Sequence, residues 1–245
     1  MEIYKLSDDI SSDFGAVLKI TDIRQAVKNE NRVNVFVNKK YSFSLDVAQL
    51  VDLKLKVGAE ITEEDLAEYK KLSEFGKLYQ RTLEWLLMKP RSIKETRDYL
   101  WRKLKTSSSG YSLLPSLQGS SLRFCSDHGY SSEDIFKFSQ DIISRLISKG
   151  YLDDEKFAEY YVENRFVKKG VSKRRLKMEL MKKGIKKEII ERVLDDSVRN
   201  DEDEILKIIA KKRARYDDEK LIQYLCRQGF PYELAQNLVQ SYGKD

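Results

Sequence analysis

One short pattern recurs along the chain and limits what it can fold into: a leucine stands four residues ahead of a glycine, and a large apolar residue follows the glycine. It occurs at Leu146, Gly150 and Tyr151, at Leu180, Gly184 and Ile185, and at Leu225, Gly229 and Phe230. A glycine in the left-handed conformation ends a helix, and the apolar residue after it folds back onto the last turn, which is the Schellman stop. Gly129 with Tyr130 reads as a fourth stop without the leucine. Aligning Gly184 on Gly229 gives a period of 45 residues and superposes Leu176 on Leu221, Ile189 on Leu234 and Val193 on Leu238. A period of this size, punctuated by helix stops, predicts stacked helical units.

Each unit reads as three helices. In the middle copy they are expected at about 154–169, 173–183 and 186–198, and in the last copy at about 201–214, 217–228 and 231–242. The first copy begins near Glu74, and its second helix opens on Ser92 and Glu95, spaced as a capping box. Ahead of the helices, Val33, Val35 and Val37 alternate with polar or aromatic neighbours, and Tyr41, Phe43 and Leu45 alternate with serines, which is the period of strands. With an earlier strand over 17–27, these predict a small antiparallel sheet. The expected fold is therefore mainly α: three tandem three-helix repeats, elongated and curved because stacked units touch only their neighbours, preceded by a small β-sheet. The boundaries expected are 1–61 for the sheet region, 62–152 for the first repeat, 153–199 for the second and 200–245 for the third. Residues 105–127, rich in Ser and Gly and without period, read as a loop inserted in the first repeat.

Charge singles out one stretch. The chain carries a formal net charge of +6, yet residues 164–192 hold 12 basic and 3 acidic groups, an excess larger than the whole. Arg165, Lys168 and Lys169 stand at i, i+3 and i+4, and Lys173 and Lys177 at i and i+4, so each helix is expected to show a basic stripe above a core of Leu176 and Leu180. The candidate binding residues are Arg165, Lys168, Lys169, Lys173, Arg174, Lys177, Lys182 and Lys183, with side chains expected in water and a polyanionic or acidic partner. The aromatic group Tyr151, Phe157, Tyr160, Tyr161 and Phe166 precedes them; Phe157 and Tyr161, four apart, are expected in the core, leaving Tyr160 as a contact candidate. The acidic runs at 153–155 and 201–204 fall at helix starts and are read as helix-end stabilisers.

Other chemistries find little support. Cys125 and His128 form too small a set for zinc, and two cysteines suit a reducing compartment. Phosphate-cradling and nucleophile-elbow glycine motifs are missing, so a nucleotide-dependent or triad enzyme is not expected and no cofactor is called for. The absence of an apolar run of about 18 residues and of a secretory leader predicts a soluble, cytoplasmic monomer.

The run Gly150-Tyr151-Leu152-Asp153-Asp154-Glu155-Lys156-Phe157-Ala158, continuing through Tyr161, Val162, Arg165, Arg175, Leu176, Glu179, Leu180, Gly184 and Ile185, resembles the signature of RecX proteins. Arg91, Ser92, Glu95 and Leu100 resemble that family's first-repeat motif, and the likeness covers roughly residues 16–240. The resemblance implies a non-enzymatic regulator of the RecA recombinase that lies in the groove of the DNA-bound filament and restrains ATP hydrolysis, strand exchange and LexA cleavage. The basic stretch would then meet the RecA groove, DNA phosphate, or both. The competing expectation is a helical DNA-binding protein acting on nucleic acid independently of RecA.

Overall fold

The computed structural model describes residues 17–27, 29–108 and 132–242. It divides between Arg81 and Thr82 into two compact units.

In the first unit β1 (Leu18–Ala26), β2 (Asn29–Val37) and β3 (Lys40–Asp46) form antiparallel hairpins, and a two-residue β4 (Glu60–Ile61) pairs with β1, giving the order β3-β2-β1-β4. The alternation seen in the sequence sends Val35, Val37, Phe43 and Leu45 to one buried face with Ile20, where Leu66, Tyr69 and Leu72 of α2 (Glu63–Leu87) pack against them. Asn38 and Lys39 both take positive φ, 49° and 65°, which matches the twist that a two-residue hairpin turn requires. A short α1 (Val47–Asp52) and β4 were not anticipated. The helix rests on a capping box between Asp46 and Gln49 (2.7 and 3.1 Å), and a two-residue strand is too short to show a period.

The second unit is helical: α3 (Ile93–Ser108), α4 (Ser132–Ser148), α5 (Asp154–Asn164), α6 (Lys173–Lys182), α7 (Lys187–Asp196), α8 (Asp201–Lys212), α9 (Asp218–Arg227) and α10 (Tyr232–Ser241). Around the α5–α7 core lie Phe157, Val162, Leu176, Leu180 and Ile190; around the α8–α10 core lie Ile205, Ile209, Leu221, Leu225 and Val239. All three helix stops form as expected. Gly150, Gly184 and Gly229 have φ of 74°, 82° and 94°. The amides of Tyr151, Ile185 and Phe230 donate to the carbonyls of Leu146, Leu180 and Leu225 at 3.0, 3.2 and 3.2 Å.

Two expectations need correction. The loop placed at 105–127 begins too early, because α3 runs on to Ser108: its first helix breaker is Gly110, and nothing in 105–108 interrupts the ladder. The rest of that loop, with Gly129, Tyr130, Cys125 and His128, lies outside the described residues. The first helix of the middle copy stops at Asn164 instead of 169. Arg165 is extended, Phe166 has φ of 50°, and the Arg199 guanidinium donates to the carbonyls of Val162 and Arg165 at 2.6 and 2.7 Å, closing the helix end.

The repeats are joined by a connector that itself repeats. The Ser92 side chain caps α3 by accepting from the Glu95 amide (3.1 Å) while its hydroxyl donates to the Lys183 carbonyl at the end of α6 (2.8 Å). Ser172 does the same one repeat on, accepting from the Arg175 amide (3.2 Å) and donating to the Gln228 carbonyl at the end of α9 (2.7 Å). Beside each serine, the first amide of the helix, Ile93 or Lys173, donates at 2.8 Å to the carboxylate that opens the first helix of the next repeat, Asp154 of α5 or Asp201 of α8. These bonds satisfy helix-end groups that would otherwise be buried without partners. The approach is close enough to exclude any side chain at the helix stop: a Cβ on Gly184 would lie 2.8 Å from Lys94 Cβ, and one on Gly229 would lie 2.9 Å from Ser172 Oγ. Ser172→Ala removes a cap and leaves the Gln228 carbonyl unmatched, so urea denaturation should show a loss of about 2 kcal/mol. A loss near zero would mean that water replaces the hydroxyl.

Candidate partner-binding face

Of the eight basic residues singled out in the sequence, the fold frees four and employs four. Lys168, Lys169, Arg174 and Lys182 are exposed. Arg165, Lys173, Lys177 and Lys183 are half-buried and already engaged. Lys183 pairs with Glu95 at 2.6 Å, Lys177 with Glu191 at 2.8 Å, and the Lys173 ammonium donates to the Leu194 carbonyl at 3.0 Å. Nor do Arg165, Lys168 and Lys169 form a helical stripe, since α5 ends before them and Lys168 and Lys169 sit on a turn.

Arg165 belongs to a structural network. Its Nε lies 2.8 Å from Glu179 Oε2, the Tyr161 hydroxyl donates to the same oxygen at 2.6 Å, and Arg175 Nε reaches Glu179 Oε1 at 3.1 Å. The Arg165 guanidinium also covers the Phe166 ring at 3.8 Å. Burial alone would raise the Glu179 pKa, but the three donors and the Arg165 charge outweigh it and hold the carboxyl at about 2, against an ordinary 4.5. Burial, reinforced by donation to Glu179, pushes the Tyr161 hydroxyl up to about 12. A carboxylate whose pKa is lowered on folding contributes its full stability above its unfolded pKa and loses it as pH falls through the folded one. Stability should therefore decline as pH drops from about 4.5 towards 2, and Glu179→Gln should flatten that decline in a series of urea midpoints. Parallel pH profiles for the two proteins would contradict the linkage.

The free cations sit with residues that charge counting passes over. On α6, Arg174, Met178, Met181 and Lys182 fall at i, i+4, i+7 and i+8, one face of a helix turned away from buried Leu176 and Leu180. Met178 and Met181 are 51% and 54% exposed. Exposed methionines between cations suit an adaptable protein surface better than a polyphosphate, because a polarizable thioether gains by contact with apolar or aromatic side chains. Helical spacing from Arg174 would have found them. Phe157 is buried and Tyr161 packs on the same core, while Tyr160 is 42% exposed.

The acidic runs do more than stabilise helix ends. Asp153 does cap α5, accepting from the Glu155 amide at 2.9 Å, but Asp154 and Asp201 reach across repeats. Glu204 is 2% exposed and forms a hub: Arg199 lies 2.9 Å from it, Lys207 2.7 Å, and the Val171 amide donates to it at 2.8 Å. In the second repeat, Glu155, Glu159, Glu163 and Asp196, together with Arg192 and Arg199, border a groove of about 530 Å³ beside Val162 and Val193. Among the described residues no helix is long and apolar enough to cross a membrane.

A small antiparallel sheet followed by linked three-helix units defines the class: a helical repeat protein with an N-terminal sheet. Residues 18–62 match the family model for the regulatory protein RecX N-terminal domain, and residues 153–194, spanning α5 to α7, match that for the RecX second three-helix domain. The regulatory protein RecX of Bacillus subtilis is 30% identical, the match covering 90% of this chain and 97% of that one. That of Listeria monocytogenes is 29% identical over 89% of this chain and 73% of its own. A crystal structure of regulatory protein RecX superposes with a TM-score of 0.62 at 20% identity, covering 91% of this chain, and so shares the fold. The chain belongs to the RecX family of regulatory proteins.

Proposed function

We propose that this protein regulates the RecA recombinase without a catalytic step of its own, binding as a cytoplasmic monomer in the groove of the RecA filament on single-stranded DNA and restraining ATP hydrolysis, strand exchange and LexA cleavage. Family membership supports the regulatory role. The observation that carries the choice of a protein partner is the α6 face, where Met178 and Met181 stand exposed between Arg174 and Lys182. Lys168 and Lys169 extend the positive surface on the preceding turn. A ligand that binds one filament state better than another shifts the population towards it, so gripping adjacent protomers in a poorly hydrolysing arrangement suffices for inhibition.

Substoichiometric protein should lower DNA-dependent ATP hydrolysis by RecA, because one bound molecule restrains more than one protomer. Unchanged hydrolysis at equimolar protein, with binding to the filament confirmed by co-sedimentation, would sink the regulator reading. If DNA binding alone were then found, falling steeply with salt, the protein would act on nucleic acid independently of RecA.

A further inference from the structure

The solvent face of the N-terminal sheet carries features that neither the sheet's stability nor the α6 face accounts for. Alternation on β2 turns Phe36 away from buried Val35 and Val37, and a register shift between Val35 and Phe36 sets Tyr41 of β3, two residues before buried Phe43, opposite Phe36 as its exposed cross-strand partner. Their rings meet edge to face, with centroids 6.0 Å apart and planes at 79°, and Tyr41 is 53% exposed. Edge-to-face contact leaves ring surface uncovered. From β1 the Arg24 guanidinium lies 5.3 Å from the Phe36 centroid, its charge shared with Asp22 at 2.5 Å.

Lysines gather at one end of this face. The hairpin turn presents Lys39 and Lys40, both exposed. The Asn38 amide donates to the Lys19 carbonyl at 3.0 Å and the Lys39 amide to Thr21 Oγ1 at 2.8 Å, which ties Lys19 to the same corner. Glu60 faces Lys19 across the β1–β4 ladder, but among the described residues Lys19, Lys39 and Lys40 form no ion pair. Open aromatic rings flanked by unpaired cations complement the two parts of an unpaired polynucleotide, since the rings stack on bases and the cations meet phosphates. Duplex DNA hides its base faces and fits this surface less well.

We propose that the outer face of the β1–β3 sheet, through Tyr41, Phe36 and the lysines of the hairpin corner, binds single-stranded DNA. Naming DNA as the polymer rests on the filament reading above; the binding face itself does not, and its test contains no RecA. Full-length protein is titrated into a fluorescent 20-mer oligothymidylate and followed by anisotropy at several salt concentrations. Tyr41→Ala should weaken binding at least about fivefold, the lower end of what one stacked base contributes, with the melting temperature recorded alongside. Tyr41→Trp should restore affinity and add an indole emission quenched by the oligonucleotide beyond any quenching in the parent. Lys39→Asn with Lys40→Gln should lower the slope of log affinity against log salt by roughly 1.4, two phosphate contacts at the single-strand value. Arg174→Glu with Lys182→Glu should leave oligonucleotide affinity within about twofold, separating this face from α6. Parent-like affinity in Tyr41→Ala would overturn the proposal and leave the ring pair as sheet packing. Tighter binding of oligouridylate than of oligothymidylate would overturn the assignment to DNA.

Discussion

Glu204→Ala should cost about 4 kcal/mol, the largest single-residue loss expected in this chain. Glu204 is 2% exposed and the Arg199 side chain 10%, so deleting the carboxylate strands a buried guanidinium. Breaking one partner out of such a pair costs about 3–5 kcal/mol. The Val171 amide, 2.8 Å from the carboxylate, loses its acceptor as well. Because domains of this kind are stable by only about 5–15 kcal/mol, the loss should appear as early detachment of α8–α10, seen as a new low-temperature transition and early proteolytic cleavage near residues 197–200. Glu204→Gln keeps an acceptor for Val171 and should fall between the two. A change below about 1 kcal/mol for Glu204→Ala would show that the hub is solvated in practice.

Reversing the α6 face should have the largest effect on function. Arg174→Glu with Lys182→Glu replaces by anions two exposed cations that form no ion pair among the described residues, and the expected result is a loss of filament binding of at least about 100-fold, with stability changed by no more than about 0.5 kcal/mol. Met178→Ala with Met181→Ala should weaken filament binding about tenfold and leave oligonucleotide binding untouched, which a purely phosphate-directed surface could not do. Full filament binding by the charge-reversed protein would move the partner surface elsewhere. Arg165 is the informative contrast. Its reversal breaks the Glu179 network and should impair folding before it impairs binding, so a binding defect there says nothing about contact with a partner.

Local chemistry was legible in the sequence and distant chemistry was not. A Schellman stop needs only a leucine, a glycine and an apolar residue within six positions, so Leu180, Gly184 and Ile185 announce the helix end by themselves. The capping box of Ser92 and Glu95 is equally local, and the helices follow from these markers to within a few residues, apart from the early end of α5. That end depends on Arg199, 35 residues beyond Asn164, whose guanidinium takes the terminal carbonyls. Asp154 and Asp201 looked like helix-start carboxylates because their partners, the amides of Ile93 and Lys173, are 61 and 28 residues away. Counting charge singles out a stretch but cannot sort its members: whether a cation is engaged is decided by the carboxylate beside it, and Glu179, Glu191 and Glu95 claim Arg165, Lys177 and Lys183.

The serine and aspartate connector gives the array a direction. Each second helix offers a hydroxyl and a free amide from its start and receives the next repeat's glycine stop and leading aspartate, so a repeat presents upstream what it accepts downstream. Such a joint works like a plug and socket of one standard. A further copy of residues 153–199 grafted between the second and third repeats would meet Ser172 and Lys173 with its own Asp154 and Gly184, and would offer its own Ser172 to Gln228. Array length is then a quantity that gene duplication can change without redesigning an interface, while Asp217, standing where Ser92 and Ser172 stand in the earlier repeats, holds Lys220 at 2.7 Å and has no hydroxyl to donate.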